Sequence, residues 1–368
     1  MSASPRPGRV LLTTDTAGGV WTYAMELAAA LEREGVAVTL AALGDEPSPG
    51  QRRDAELRGL PIRSFRCRLP WMTDPWGDVE AAGRWLTRLA LEVRADVLHL
   101  NEPVFAALDL PAPTVAVAHS CVLSWWEAVR GEPAPCDWER YRAAMRAGLS
   151  AAQAVIAPSR AMLAALEHHY GSRAGHAIPN GLDPAGREPG IKEDFVLTAT
   201  RLWDGAKNVG TLDRAAGALD WPVYAAGDQR SPDGRTVELT HLRSLGRLDR
   251  RPLAAWMSRA AIFALPAKYE PFGLSVLEAA LAGCALVLGD IPSLREHWEG
   301  VAVFVPPDDE ELLRLALASL LEDARLRQAL GMRARRRALR FSAQRMARGY
   351  VAAYAGVLAG RQATACVS

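Results

Sequence analysis

The sequence predicts an α/β protein of two Rossmann-like, doubly wound domains facing each other across a cleft. Three observations predict it. Short apolar runs rich in β-formers alternate with longer amphipathic stretches along almost the whole chain. Many of these runs are apolar on both faces, as a parallel strand covered by helices on each side must be. One Pro/Gly-rich interruption splits the alternation into two parts, which suits 368 residues at roughly 100–200 residues per domain.

In the first part, strands are expected at 9–15, 36–43, 61–67, 96–101, 114–118 and 154–157, with helical patterns at 20–34, 79–94, 138–151 and 160–168 between them. Residues 178–194, IPNGLDPAGREPGIKED, hold three Pro and three Gly with little apolar content and read as a linker. The alternation resumes with strands expected at 195–200, 222–226, 261–265, 285–288 and 301–305. The division is a first domain at 1–178, a linker at 179–194, a second domain at 195–345, and a C-terminal helix at 346–368 that packs back on the first domain. Ligands of open α/β sheets sit beyond the carboxyl ends of the strands, so two facing sheets place the crevice between the domains.

Composition excludes several classes. Lys and Arg number 43 against 42 Asp and Glu, a formal charge of +1, so a nucleic-acid partner, which asks for a basic excess, is not expected. The five cysteines (Cys67, Cys121, Cys136, Cys284 and Cys366) are scattered with no CxxC pair or zinc spacing, which points to a reducing cytoplasm and no metal site. No apolar run approaches the ~18–20 residues of a membrane span. The start, MSASPRPGRV, lacks the apolar region of a secretory signal. From Leu326 onward the chain carries nine Arg and no acidic residue. Such a run is first a solvated helix face, and second an anchor for anionic lipid headgroups, so peripheral membrane contact stays open.

Only three of the cations are lysines: Lys192, Lys207 and Lys268. Lys207 falls in Arg201-Leu-Trp-Asp-Gly-Ala-Lys207-Asn208, at the carboxyl end of the strand FVLTAT. There an Arg fork and a compact ammonium suit phosphate oxygens. A second cluster, Glu270–Glu278 (EPFGLSVLE), follows the strand AIFALPA. A turn with Pro271 and Gly273 opens a helix whose N-terminal N–H groups can hold an anion. Glu278 then lies about one turn inside the helix and Glu270 at its mouth. In the first domain, RVLLTTD runs into Gly18-Gly19 and a helix, a turn that lets a ligand approach the backbone. It is neither GxGxxG nor a P-loop, which disfavours a nicotinamide dehydrogenase or a P-loop NTPase. His119 ends the strand PTVAVA and is placed to meet a sugar hydroxyl or developing charge, or else is structural. For Cys121 close by, the sequence shows no evident orienting third group, which argues against a thiol nucleophile.

These motifs resemble the GT-B glycosyltransferases, specifically glycosyltransferase family 4, which retain anomeric configuration. The stretches that carry the resemblance are DTAGGVW, AHS, APS, IPNGLD, TRLWDGAKN, LGRL and LPAKYEPFGLSVLEAALAGCALVLGDIPSLREHW, in order along nearly the whole chain. The resemblance implies a GT-B fold and a nucleotide-diphosphate sugar as donor substrate, with no further cofactor. It implies that Arg201 and Lys207 neutralise the departing diphosphate, with Glu270 and His119 completing the catalytic set. Phe272, Gly273 and Leu274 would lie against phosphate or sugar, with Gly273 and Leu274 offering N–H groups. Glu270 would bind sugar hydroxyls and Glu278 the ribose, while Gly18 and Gly19 would line the phosphate side. Two departures stand out. Ser120 follows His119 where many relatives carry Asp, and AGDQRSPDG replaces a Gly-rich turn. No DxD pair ends a strand, which is consistent with basic groups acting in place of a metal.

Seven of the 11 Trp fall in the first 138 residues. Trp71, Trp76, Trp125 and Trp126 are candidates for an acceptor wall, since aromatic faces suit sugar rings; core packing is the other reading. The acceptor is unspecified, whether glycan, lipid or small molecule. A sugar-nucleotide epimerase of the same fold and a non-catalytic nucleotide-sugar binder are the alternatives.

Overall fold

The computed structural model describes residues 6–16, 18–172, 175–231 and 234–365, with side chains as far as Gly360. Ala17 of the glycine turn and Cys366 lie outside them. The described chain divides into two compact units. The first holds the residues up to Ser124, Pro133–Gly181 and those from Ala343; the second holds Trp125–Glu132 and Leu182–Ser342.

The first unit carries a seven-stranded parallel sheet of β1 (Arg9–Asp15), β2 (Ala37–Gly44), β3 (Ile62–Arg66), β4 (Val97–Leu100), β5 (Thr114–Val117), β6 (Ala154–Ala157) and β7 (His176–Ala177), ordered β3-β2-β1-β4-β5-β6-β7. Residues of β4 and β5 are buried throughout, which explains why those segments read as apolar on both faces. The strand order reverses between β1 and β4, so the chain segments leaving these two strands diverge and leave a crevice at their carboxyl ends. Helix Gly19–Arg33 follows β1 and buries Tyr23 and Leu27. The C-terminal helix Ala343–Ala365 also belongs to this unit, with Tyr350 and Tyr354 buried.

The second unit repeats the plan with β8 (Glu193–Ala199), β9 (Val223–Ala226), β10 (Arg243–Gly246), β11 (Ala260–Leu265), β12 (Ala285–Gly289) and β13 (Val303–Val305), ordered β10-β9-β8-β11-β12-β13. Here the order reverses between β8 and β11. β11 is buried along its whole length. Apolar side chains of β8, β11 and β12 pack with those of helix Leu274–Leu281 in one core cluster.

Several boundaries move. Residues from Leu182 onward belong to the second unit, so most of the residues expected as a linker pack within it. Lys192, expected to be linker, donates to Ala282 O at 2.7 Å and Met257 O at 3.3 Å. The last strand begins at Val303 rather than 301, because Val301 N–H is used to close the preceding helix on Trp298 O. Helix Pro49–Leu57, opened by a capping box between Ser48 and Gln51, was not anticipated: its polar sequence buries only Ala55 and carries little periodic signal. Among the described residues no helix is long and apolar enough to cross a membrane.

Candidate active site

The reversal between β8 and β11 brings two loops side by side. The loop after β8 passes through Arg201 and a 3-10 turn, Gly205–Lys207, into helix Val209–Ala216. The loop after β11 runs through Lys268–Gly273 into helix Leu274–Leu281. Backbone bonds stitch them together: the N–H groups of Lys268 and Tyr269 both donate to Ala206 O. Asn208, held at φ 55°, sends Nδ2 to Pro266 O at 2.9 Å and to Pro307 O at 2.5 Å. An Asn tolerates that left-handed backbone better than most residues, and its amide uses the turn it makes.

Within this frame Lys207 Nζ lies 2.8 Å from Glu270 Oε2, with the two side chains 9% and 16% exposed. Glu270 Oε1 accepts from Gly273 N–H at 2.9 Å and Phe272 N–H at 3.4 Å, satisfying donors that a helix start leaves orphaned. Burial alone would raise the Glu270 carboxyl, but Lys207 and these N–H groups outweigh it and hold it below the ordinary carboxylate range. The Gly273 N–H expected to face a phosphate is therefore already engaged, and an incoming anion would compete with Glu270 for it. Gly273 sits at φ 86°, and a Cβ there would come within 3.0 Å of Val276, so its backbone conformation requires glycine.

Arg201 Nη2 pairs with Asp204 Oδ2 at 2.8 Å; the Arg side chain is 44% exposed and the Asp 4%. Asp204 Oδ1 also accepts from Ala206 N–H and from the indole N–H of Trp125, both at 3.0 Å. Burial opposes ionisation of Asp204, yet the charges of both Arg201 and Lys207, with these hydrogen bonds, keep its carboxyl below the usual range. One buried carboxylate thus sits under both cations. Glu278 lies on helix Leu274–Leu281, and Arg187 Nη2 approaches its Oε1 at 3.4 Å. Arg187 is itself buried and donates to Asp183 O at 2.6 Å. Lys268 pairs instead with Asp308.

In the first unit Gly18 N-caps helix Gly19–Arg33 at φ 107°, with nothing within 4 Å of the place a Cβ would take. His119 follows β5. Its Nε2 lies 2.9 Å from Asn101 Oδ1 and its ring meets Tyr23 edge-on, centroids 4.3 Å apart. Burial pushes its imidazolium down to about 3, so the ring is neutral. Cys121 is buried with Sγ 2.7 Å from Ser124 Oγ.

The four candidate Trp divide between the two units. Trp71 and Trp76 pack against the first unit's core, with Arg140 over the Trp76 ring at 4.7 Å. Trp125 and Trp126 belong to the second unit, where Trp125 is tied to Asp204 and Trp126 lies 6.0 Å from it, centroid to centroid.

Sequence reasoning missed Asp204, Asn208, Arg187 and Asn101. Asp204 and Asn208 stood inside the Arg201–Asn208 cluster and were readable as turn formers. The Arg187–Glu278 pair, 91 positions apart, left no local trace. Two cations poised over a buried carboxylate beside a helix start can bind and neutralise a diphosphate.

Comparison with known proteins adds the following. Residues 17–185 match the model described as Glycosyltransferase Family 4, and residues 237–337 the model described as Glycosyl transferases group 1. A glycogen synthase of Mycobacterium tuberculosis is 37% identical over 120 residues, 32% of this chain and 27% of that protein. A phosphatidyl-myo-inositol mannosyltransferase of Mycolicibacterium smegmatis is 35% identical over 123 residues, 32% of each chain. The matched segment thus spans about a third or less of these curated relatives. Among solved structures, the sucrose-phosphate synthase of Thermosynechococcus elongatus superposes with a TM-score of 0.78 at 20% identity, over 96% of this chain and 99% of that one. Anabaena HepE in complex with UDP and glucose gives 0.76 at 16% identity, over 95% and 99%. At such identities the likeness concerns the fold.

Proposed function

Given that the chain belongs to the GT-B glycosyltransferases of family 4 and group 1, we propose that it moves a sugar from a nucleotide-diphosphate sugar to an acceptor hydroxyl with retention of anomeric configuration and without a metal. The observation that carries this reading is the loop pair after β8 and β11, where Arg201 and Lys207 are held by Asp204 and Glu270 next to a helix start.

In this reading the bond between the anomeric carbon and the diphosphate breaks with its electron pair leaving on phosphate. The acceptor oxygen attacks from the same face, and the acceptor proton passes to the departing phosphate oxygen. Arg201 and Lys207 stabilise the charge that develops there, and one such preorganised donor is worth about 3–4 kcal/mol. Glu270 is assigned to hydroxyls of the transferred sugar. With one oxygen on Lys207 and the other on two N–H groups, its carboxylate is poorly disposed to act as a nucleophile, which favours front-face displacement over a covalent intermediate. Glu278, steadied by Arg187, is assigned to the ribose. Gly18 and Gly19 line the phosphate side, and His119 meets the donor sugar. The acceptor belongs to the first unit, while Trp125 serves the Arg201 loop through Asp204. The scattered cysteines support a cytoplasmic setting.

Proton NMR of turnover with UDP-, GDP-, ADP- and TDP-sugars tests this reading, water serving where no other acceptor is accepted. The first product should carry the anomeric configuration of the donor. An inverted product would refute retention, and acceptor-independent conversion to an epimeric nucleotide sugar would favour the epimerase alternative.

A further inference from the structure

The first unit contains a chain of hydrogen-bonded polar groups that runs from His119 to the C-terminal helix. Asn101, one residue beyond β4, has an amide whose orientation is forced: Nδ2 donates to Thr13 O at 2.5 Å, and a carbonyl can only accept. Its N–H donates to Thr13 Oγ1 at 2.8 Å, which pins the backbone as well. Oδ1 therefore faces two imidazoles, with His119 Nε2 at 2.9 Å and His99 Nε2 at 3.1 Å. An amide oxygen only accepts, so both Nε2 atoms carry the proton. On the far side of His99, Nδ1 is 2.7 Å from the Tyr354 hydroxyl of the C-terminal helix, and Tyr23 OH is 3.2 Å from Nε2. With its proton on Nε2, His99 accepts at Nδ1 from Tyr354, and Tyr23 Oη can meet Nε2–H only as an acceptor.

We propose that Asn101 is a positioning residue that locks His119 as the Nε2–H tautomer, so that the Nδ1 lone pair is the only ring acceptor it can present to a hydroxyl of the bound sugar. The proposal rests on the donor-sugar role given to His119 above and sharpens it. A neutral ring in this tautomer receives a hydrogen bond from a hydroxyl at Nδ1; it cannot donate one there to a phosphate oxygen. Helix Ala343–Ala365 takes part because Tyr354 fixes His99, which shares the Asn101 oxygen with His119.

The titratable groups around His119 are Tyr23, from helix Gly19–Arg33, and His99, from β4, with Tyr350 and Tyr354 behind His99. Burial holds all four neutral: it pushes His99 down to about 3 and the three tyrosines up. Glu102, next to Asn101 in sequence, has its carboxyl raised to about 8 by burial and by the charge of Asp15. It therefore titrates on the alkaline side of any profile.

The experiment reads the His119 nitrogens directly by long-range 1H–15N correlation on 15N-histidine-labelled protein, and follows donor kcat/KM against pH in Asn101→Asp. In the wild type, Nε2 should be protonated and Nδ1 bare from about pH 5.5 to 8.5, well above the His119 pKa. A carboxylate in place of the Asn101 amide raises the His119 pKa. The ring then gains a proton on Nδ1 below the raised value, and kcat/KM should acquire a new acid limb, falling at least tenfold at low pH and recovering as pH rises. Should Asn101→Asp fail to fold, Asn101→Ala should show mixed tautomers and a raised donor KM with kcat little changed. A wild-type His119 carrying its proton on Nδ1 overturns the proposal. So does a folded Asn101→Asp whose pH profile superimposes on wild type. If no nucleotide sugar binds or turns over, the donor reading itself has failed, and the nitrogen spectrum still decides the tautomer.

Discussion

Lys207 and Glu270 illustrate how much of a site a single residue can betray in sequence. Lys207 stood out because the chain has only three lysines, and Glu270 because it precedes a glycine turn and a helix. That they pair at 2.8 Å, 63 positions apart, depends on which strands are neighbours, and no local pattern contains that. The pair also couples stability to pH. The Glu270 carboxyl lies below its ordinary value of 4.5 when folded, so its contribution is complete above that value and is lost as pH falls through the depressed one. Glu270→Gln should therefore cost about 3–5 kcal/mol in urea unfolding at pH 7, and the gap to wild type should narrow toward pH 3. A gap that stays constant with pH would show that the carboxylate charge plays no part.

At the scale of elements, the buried parallel strands were legible because burial on both faces leaves continuous apolar runs. The short half-exposed β10 and the two-residue β7 were not, since strands that expose part of their surface lack that signature. The basic run was legible as a run, but its use was not. Arg335 donates to Leu281 O, and Arg337 donates to His297 O at 2.8 Å and Glu299 O at 3.3 Å. Both guanidinium groups thus bind carbonyls at or near the ends of helices Leu274–Leu281 and Pro292–Trp298, where cations are favoured. The second reading of this run, contact with anionic lipid headgroups, would rest on its exposed arginines, Arg333, Arg336 and Arg340 among them. Arg335→Ala or Arg337→Ala should each lower stability by about 1.5–3 kcal/mol, whereas Arg336→Ala should stay within about 0.5 kcal/mol of wild type. Equal effects at all three positions in thermal unfolding would contradict the assignment.

For the whole molecule, near-neutral charge reads as an average over local specialisation. The second unit pairs a buried Lys207 and a half-exposed Arg201 with carboxylates at the reversal of its sheet, and the first holds a neutral His–Asn–Tyr chain at the reversal of its own. The C-terminal helix belongs to the first unit and supplies two tyrosines to that chain. The departure from a Gly-rich turn after β9 leaves a glycine where one is needed: Gly227 sits where a Cβ would fall 1.7 Å from Thr200 O. The central claim is that the cations after β8 grip a diphosphate. Calorimetric and thermal-shift titration of UDP, GDP, ADP and TDP into wild type and Lys207→Ala tests it most directly. One nucleotide should stabilise the wild type by about 2.7 kcal/mol at 100 times its Kd, and Lys207→Ala should weaken that Kd at least tenfold, about 1.4 kcal/mol. Equal affinity in the two proteins, or binding of none of the four, would contradict it.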